Sequence, residues 1–259
     1  SKGGKKRVLL KGRFVKWRLA ALALIFILSE GCAMLGPTIP HDTKPAKPAV
    51  GEPETGWWKV GFQIKWPEDT EPCWYMDLFI AHAIISPVLD RYRKDITLWR
   101  FHRRAMRDKT GHQFSFLFYC PADTAQRIHN SIESSGNLKA MKGAGEIVQV
   151  TYNDTSRVSK PHIEDTSDAR WSTPVRRTWP HFIMGVSQMW LNLICEMDQQ
   201  TTDGEGPASM DEIEAFYGNI NEFITESWQE EGRHALLHHL NAIFGYEPVV
   251  VYEKRLLTF

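Results

Sequence analysis

Between Phe101 and Gln113 the stretch "FHRRAMRDKTGHQ" gathers His102, Arg103, Asp108 and His112 around one short turn. Such a set could do general acid–base chemistry. Histidine exchanges a proton near neutral pH, a carboxylate orients it, and an arginine holds an anionic substrate. These four are the candidate catalytic residues if the chain is an enzyme. A second constellation, Glu231, His234 and His238, reads E-x-x-H-x-x-x-H, which on an α-helix puts all three on one face, a spacing that metal sites use. It offers no further ligand or base, the order H-E-x-x-H does not occur, and His239 falls off the face, so a solvated His-rich helix is the expectation. "GVSQM" is not G-x-S-x-G, and "KGAGE" lacks the spacing of a phosphate loop. No cofactor is implied.

Charge is segregated along the chain. Residues 91–109 hold Arg91, Arg93, Lys94, Arg100, Arg103, Arg104, Arg107 and Lys109 against Asp95 and Asp108. From Thr178 to Gly232 there is no Lys or Arg, while Glu196, Asp198, Glu214, Glu222, Glu226, Glu230 and Glu231 are among the acids there. Either the two regions dock within one molecule, or the basic run is a site for an anionic polymer or an acidic protein partner. Its alternation places Trp99, Phe101 and Arg103 on one face of a strand and Arg100, His102 and Arg104 on the other. Trp99, Arg100, Phe101, Arg103, Arg104 and Arg107 are accordingly the candidate binding residues. The formal net charge is zero, so no overall field favours a partner of either sign. Ten Trp in 259 residues lean towards binding, since Trp is enriched at interfaces as well as in cores.

The elements that must position these groups follow from periodicity. In "WWKVGFQIKW" Trp58, Val60, Phe62, Ile64 and Trp66 alternate with Lys59, Gly61, Gln63 and Lys65, the pattern of a strand with one solvated face. Residues 74–92 carry apolar groups at helical spacing, with Pro87 marking a kink or a break. "ITLWRFHRRA" and "HQFSFLFYC" read as a hairpin whose Gly111 suits a positive-φ turn. A helix from Ala122 to Ser134 and the strand "EIVQVTY" follow. Strand, helix, strand, strand, helix, strand is the ferredoxin-like βαββαβ order, so the predicted class is α+β, with that module at 56–154. Residues 155–178 read as an aperiodic connector and 179–259 as a mainly helical region with a closing strand. In it Phe182, Ile183, Val186, Met189, Trp190, Leu193 and Ile194 predict a buried helix, and Ser209 to Glu212 a capping box. Cys73 and Cys120 are expected at opposite edges of the sheet, too far apart to bridge, and both, with Cys195, as buried inert thiols.

The opening residues carry an address. Eight cations between Lys2 and Arg18 precede the apolar run Leu19 to Leu28, which at ten residues has the length of a signal-peptide core and falls short of the roughly 20 that span a bilayer. Leu28-Ser29-Glu30-Gly31-Cys32 resembles the lipobox of bacterial lipoproteins, with Glu30 departing from the usual apolar or small residue. That resemblance implies a signal peptide over 1–31, cut before Cys32, which would carry the lipid. No Asp follows Cys32, which in the enteric lipoproteins that this segment resembles implies the outer membrane. The alternative is an uncleaved anchor over Leu19–Leu35. Pro37, Pro40, Pro45, Pro48 and Pro53 make residues 32–55 a semi-extended tether.

The combined expectation is a lipoprotein of the bacterial envelope, membrane-anchored and facing the periplasm, with a binding or scaffolding role and no catalytic one. Its partners are the membrane, through the N-terminal lipid or anchor, and a protein or anionic polymer; nucleic acid is not expected. The rival expectation is an envelope enzyme using residues 102–112, or a metal at Glu231, His234 and His238.

Overall fold

The structure, a computed structural model, describes residues 54–201 and 209–248. The leader, Cys32 and the tether up to residue 53, and the closing strand from Val249 onward, lie outside the described residues. Four strands, β1 (Thr55–Ile64), β2 (Leu98–Ala105), β3 (His112–Pro121) and β4 (Ile147–Tyr152), form one antiparallel sheet in the order β2-β3-β1-β4. Helices complete a mixed α and β architecture. The alternation predicted for β1 sends Trp58, Val60, Phe62 and Ile64 into the core and leaves Lys59 and Gln63 half-buried on the other face. Trp57 is buried as well, because its indole Nε1 donates to the Ile163 carbonyl at 2.9 Å under the segment that follows β4.

The first crossover is a helix in three parts: α1 (Trp74–Phe79), a π turn (Ile80–Ile85) and α2 (Ser86–Tyr92). Pro87 has no N–H to give the Ala83 carbonyl four residues back, and its ring crowds that oxygen. Two adjustments absorb this. The Ser86 N–H reaches back five residues to the Ala81 carbonyl, and Asn137 Nδ2 donates to Ala83 O at 3.0 Å in place of the missing N–H. The kink predicted at Pro87 is thus a π turn just before it.

The second crossover holds α3 (Ala122–Glu133) and α4 (Gly136–Gly143). Nothing in the sequence pattern announced α4, an eight-residue helix with glycine at both ends and only Leu138 and Met141 buried. Ser135 starts it, its hydroxyl accepting the Leu138 N–H at 3.4 Å.

A short 3-10 turn (Ile163–Thr166) and α5 (Thr173–Thr201) follow. The connector expected over 155–178 therefore already contains the first turns of α5, which continues through Pro180. The same remedy recurs here: Ser167 Oγ donates to the Arg176 carbonyl at 2.7 Å, the acceptor that Pro180 leaves without its helical partner. The chain then runs through α6 (Met210–Glu230), a π turn (Arg233–His238) and α7 (His239–Ile243). Ser209 and Glu212 form the predicted capping box, and Gly111 and Gly245 take positive φ at turns. Among the described residues no helix is long and apolar enough to cross a membrane.

One core joins these parts. Phe114, Phe116 and Phe118 of β3 meet Met76, Leu78, Ile80 and Ile84 of the first crossover, Ile128 and Ile132 of α3, and Ile194 and Ile220 of α5 and α6. Each such side chain contributes about 1.5–3 kcal/mol on burial. Strand β2 is a sheet edge, and α5 covers it: the Phe101 N–H donates to Ser187 Oγ at 3.1 Å, while Ser187 donates to Ile183 O at 2.8 Å. An edge amide that would otherwise invite another strand is thereby satisfied. The burial predicted for α5 holds for Ile194 but not for Phe182, Val186 and Met189, which stay exposed.

Cys73, Cys120 and Cys195 are free. Trp74, beside Cys73, packs on His112, eight residues along β3 from Cys120, a run of about 26 Å at ~3.3 Å per residue. The separation thus lies along the two central strands and not across the sheet from edge to edge, because β1 and β3 are neighbours.

Candidate functional site

Strand β2 sorts the candidate residues onto two faces. On the helix-covered side Asp77, fully buried, accepts from Arg103 Nε at 2.7 Å and faces His112 Nε2 at 3.0 Å. Arg103 lies between the rings of Trp74 and Trp190, 5.0 and 4.9 Å from their centroids, and its Nη2 reaches Trp74 O and Asn221 Oδ1, both at 3.4 Å. His112 is fully buried edge-on to Trp74, and its Nδ1 has no partner. Stacking and the bound carboxylate consume most of what a guanidinium can offer. The cluster ties α1, β2, β3, α5 and α6 together.

The four catalytic candidates therefore do not form one centre. Arg103 and His112 meet only through Asp77. His102 lies on the opposite face, since side chains alternate along β2. Asp108 sits in the hairpin turn, bound to Arg104 and to the Thr110 and Gly111 amides; that bonding, led by Arg104, holds its carboxyl down at about 2. Of the binding candidates, Trp99 and Phe101 are core residues, edge-on to each other at 5.1 Å. Arg107 stacks 3.5 Å over the Trp66 ring and donates to Pro67 O and Thr70 O, clamping the turn after β1. Its role there is to hold a loop.

What stays available is the open face of the sheet. Lys59, Arg100, His102 and Arg104 project from it, with Lys160 beside them. Arg104 has Asp108, and Lys59 Nζ has the neutral Gln113 Oε1, at 3.3 Å. Among the described residues Arg100 makes no ion pair and its buried Nε has no hydrogen-bond partner; its guanidinium rests 5.1 Å over Trp179. Ser115, opposite His102 and 1% exposed, likewise has an unpartnered hydroxyl. Burial first, then Arg100, Lys59 and Arg104, lowers the pKa of His102. Burial, then Lys160 and Arg100, lowers that of Lys59. Apart from Asp108, which pairs with Arg104 at the hairpin turn, mutual repulsion of cations is the electrostatic mark of this surface.

After α6, Glu231, His234 and His238 do not form a three-residue cluster that could hold a metal ion. His234 and His238 stack 5.2 Å apart with only 12° between ring planes, and His239, expected off the face, approaches both at 5.3 Å. The π turn over 233–238 shifts the helical phase and so brings His239 up. Among the described residues no three His, Cys, Asp or Glu are grouped to hold a metal ion. Burial raises all three thiols, Cys120 to about 12, keeping them protonated.

Sequence reasoning missed Asp77, Lys59, Lys160 and Ser115. Asp77 had a signal, as the lone acid inside "WYMDLFIAHAII". Ser115 had none. The chain matches no family model, no curated protein and no solved structure.

Proposed function

We propose that this chain is a membrane-tethered binding protein of the bacterial envelope, held through Cys32 lipid or the N-terminal anchor and facing the periplasm at the outer membrane. Its open sheet face engages an anionic partner, a carboxylate- or phosphate-bearing polymer or protein. The observation that carries this reading is Arg100: a half-buried, permanently charged group with no carboxylate partner among the described residues, beside Lys59 and His102. Desolvating a cation without a counter-ion costs free energy that a bound anion would offset. The order βαββαβ, with β1 and β3 central and β2 and β4 at the edges, supports reading the sheet as ferredoxin-like, a topology whose uncovered face is free to bind. Here residues after β4 cover the Trp57 end of it, where Tyr119 Oη donates to Pro161 O at 2.7 Å, and Trp179 lies against Arg100.

The test is retention of the detergent-solubilised full chain on a phosphate-bearing cation exchanger. Lys59→Gln with His102→Gln should elute at clearly lower salt than wild type and than a control carrying Lys139→Gln with Lys142→Gln on α4. Equal elution of the two variants would remove the open face from the proposal. Intact mass and membrane fractionation of Cys32→Ser tests the tether: a lipid-sized mass lost with the cysteine supports it, and an unchanged mass points to the uncleaved anchor.

A further inference from the structure

An apolar groove runs between α5 and α6. Val186, Met189 and Leu193 form one wall at i, i+3, i+7, and Phe223, Trp228 and Leu236 line the other, around a volume of about 260 Å³. Met189 is 41% exposed and Trp228 55%. Gly232 is part of the construction, because a Cβ there would come within 3.0 Å of the Trp228 ring that lies across it. Single exposed apolar residues are ordinary on a protein surface; two facing rows of them are not.

The rim has a sign. Glu222, Glu226 and Glu230, at i, i+4, i+8 on α6, run beside Phe223, and Glu231 is in the lining. None of the four has a cationic partner among the described residues, and no Lys or Arg occurs from 178 to 232. We infer that this groove receives a basic amphipathic helix of a partner protein. Such a helix lays apolar residues spaced i, i+3/4, i+7 between the two walls and sets Lys or Arg against the glutamate row. The same charges argue against two other occupants. An anionic lipid surface would be repelled, and an isologous pairing with a second copy would bring two glutamate rows together. The groove and the basic sheet face are separate surfaces of opposite charge, which suits a scaffold joining two partners.

The test uses the full chain in detergent and two synthetic helical peptides of 18 residues, sharing one Leu stripe and differing only in Lys or Glu elsewhere. The Lys peptide should bind and be displaced by salt; Met189→Glu, an exposed site, should weaken it at least tenfold. Glu226→Lys with Glu230→Lys should weaken the Lys peptide and strengthen the Glu peptide. Lys59→Gln with His102→Gln should leave Lys-peptide affinity unchanged, so that failure here is distinguishable from failure of the sheet-face reading. Equal affinity for both peptides, or indifference to Met189→Glu, overturns the inference. So does a Met189-dependent dimer in sedimentation, or Met189-dependent binding to phosphatidylglycerol vesicles in place of peptide binding.

Discussion

Arg103 Nε and Asp77 Oδ2 lie 2.7 Å apart, and Asp77 has no exposed surface. The same carboxylate faces His112, so one buried acid holds two partners from two strands in register with a helix. Replacing one member of a buried pair leaves an uncompensated charge, at a cost of about 3–5 kcal/mol. Asp77→Ala should lower the urea midpoint by a corresponding amount. Arg103→Met, which removes the other charge while keeping bulk between Trp74 and Trp190, should recover part of the loss in the double variant. Purely additive losses would mean that the pair is not energetically coupled.

The two prolines make a paired prediction. Asn137 Nδ2 and Ser167 Oγ each bond the carbonyl that a proline four residues on leaves unserved, Ala83 for Pro87 and Arg176 for Pro180. Asn137→Ala and Ser167→Ala should each cost about 1 kcal/mol. With Pro87→Ala present, an N–H becomes available to Ala83 O, and Asn137→Ala should then cost measurably less. A double-mutant cycle reads the coupling directly, and a coupling of zero would show that solvent satisfies the carbonyl as well as Asn137 does.

Much of the sheet was legible because its signal is local. Period-two alternation in β1 and β2 assigned each face correctly, and the turn at Gly111 followed from residue type. What was not legible depends on tertiary partners. Alternation placed Trp99 and Phe101 on the same face as Arg103, but α5 covers that face, turning apparent binding residues into core. Sequence proximity put His102, Asp108 and His112 together, whereas the pleat and the hairpin turn separate them. Asp77, 26 residues before Arg103, could be paired with it only by the fold. His234 and His238 share a face as their spacing predicts, but the π turn at 233–238 also brings up His239, which a 3.6-residue template puts elsewhere.

Gly56 marks where the segment after β4 completes the sheet edge. A Cβ there would collide with Val158 Cγ1 and sit 2.8 Å from Lys160 O, while the adjacent Trp57 N–H donates to that same Lys160 oxygen at 2.9 Å. Gly56→Ala must displace residues 158–160. The expected result is faster hydrogen exchange at the Trp57 amide, with exchange in the β1–β3 ladder beyond Val60 unchanged. Unaltered protection at Trp57 would show that the segment can yield without breaking the bond.

His129 gives the stability a pH dependence of definite sign. Burial pushes its pKa down to about 4; it packs edge-on to Phe118 at 5.9 Å and against Tyr152 at 5.1 Å, and its Nε2 has no partner among the described residues. The unfolded chain takes up this proton near pH 6.5 and the folded one only near pH 4, so between those values the unfolded state binds more protons. The contribution is therefore fully present above pH 6.5 and is lost as the pH falls towards 4. At about 1.4 kcal/mol per unit, the loss from this group between pH 7 and pH 5 is about 2 kcal/mol. His129→Phe keeps the aromatic packing and removes the titration, so urea midpoints of the variant should fall less steeply over that range. His82 and His102, whose pKa values are also lowered by burial, titrate in both proteins and cancel in the comparison. Parallel curves for wild type and variant would mean that His129 takes up its proton in the folded state as readily as in the unfolded one.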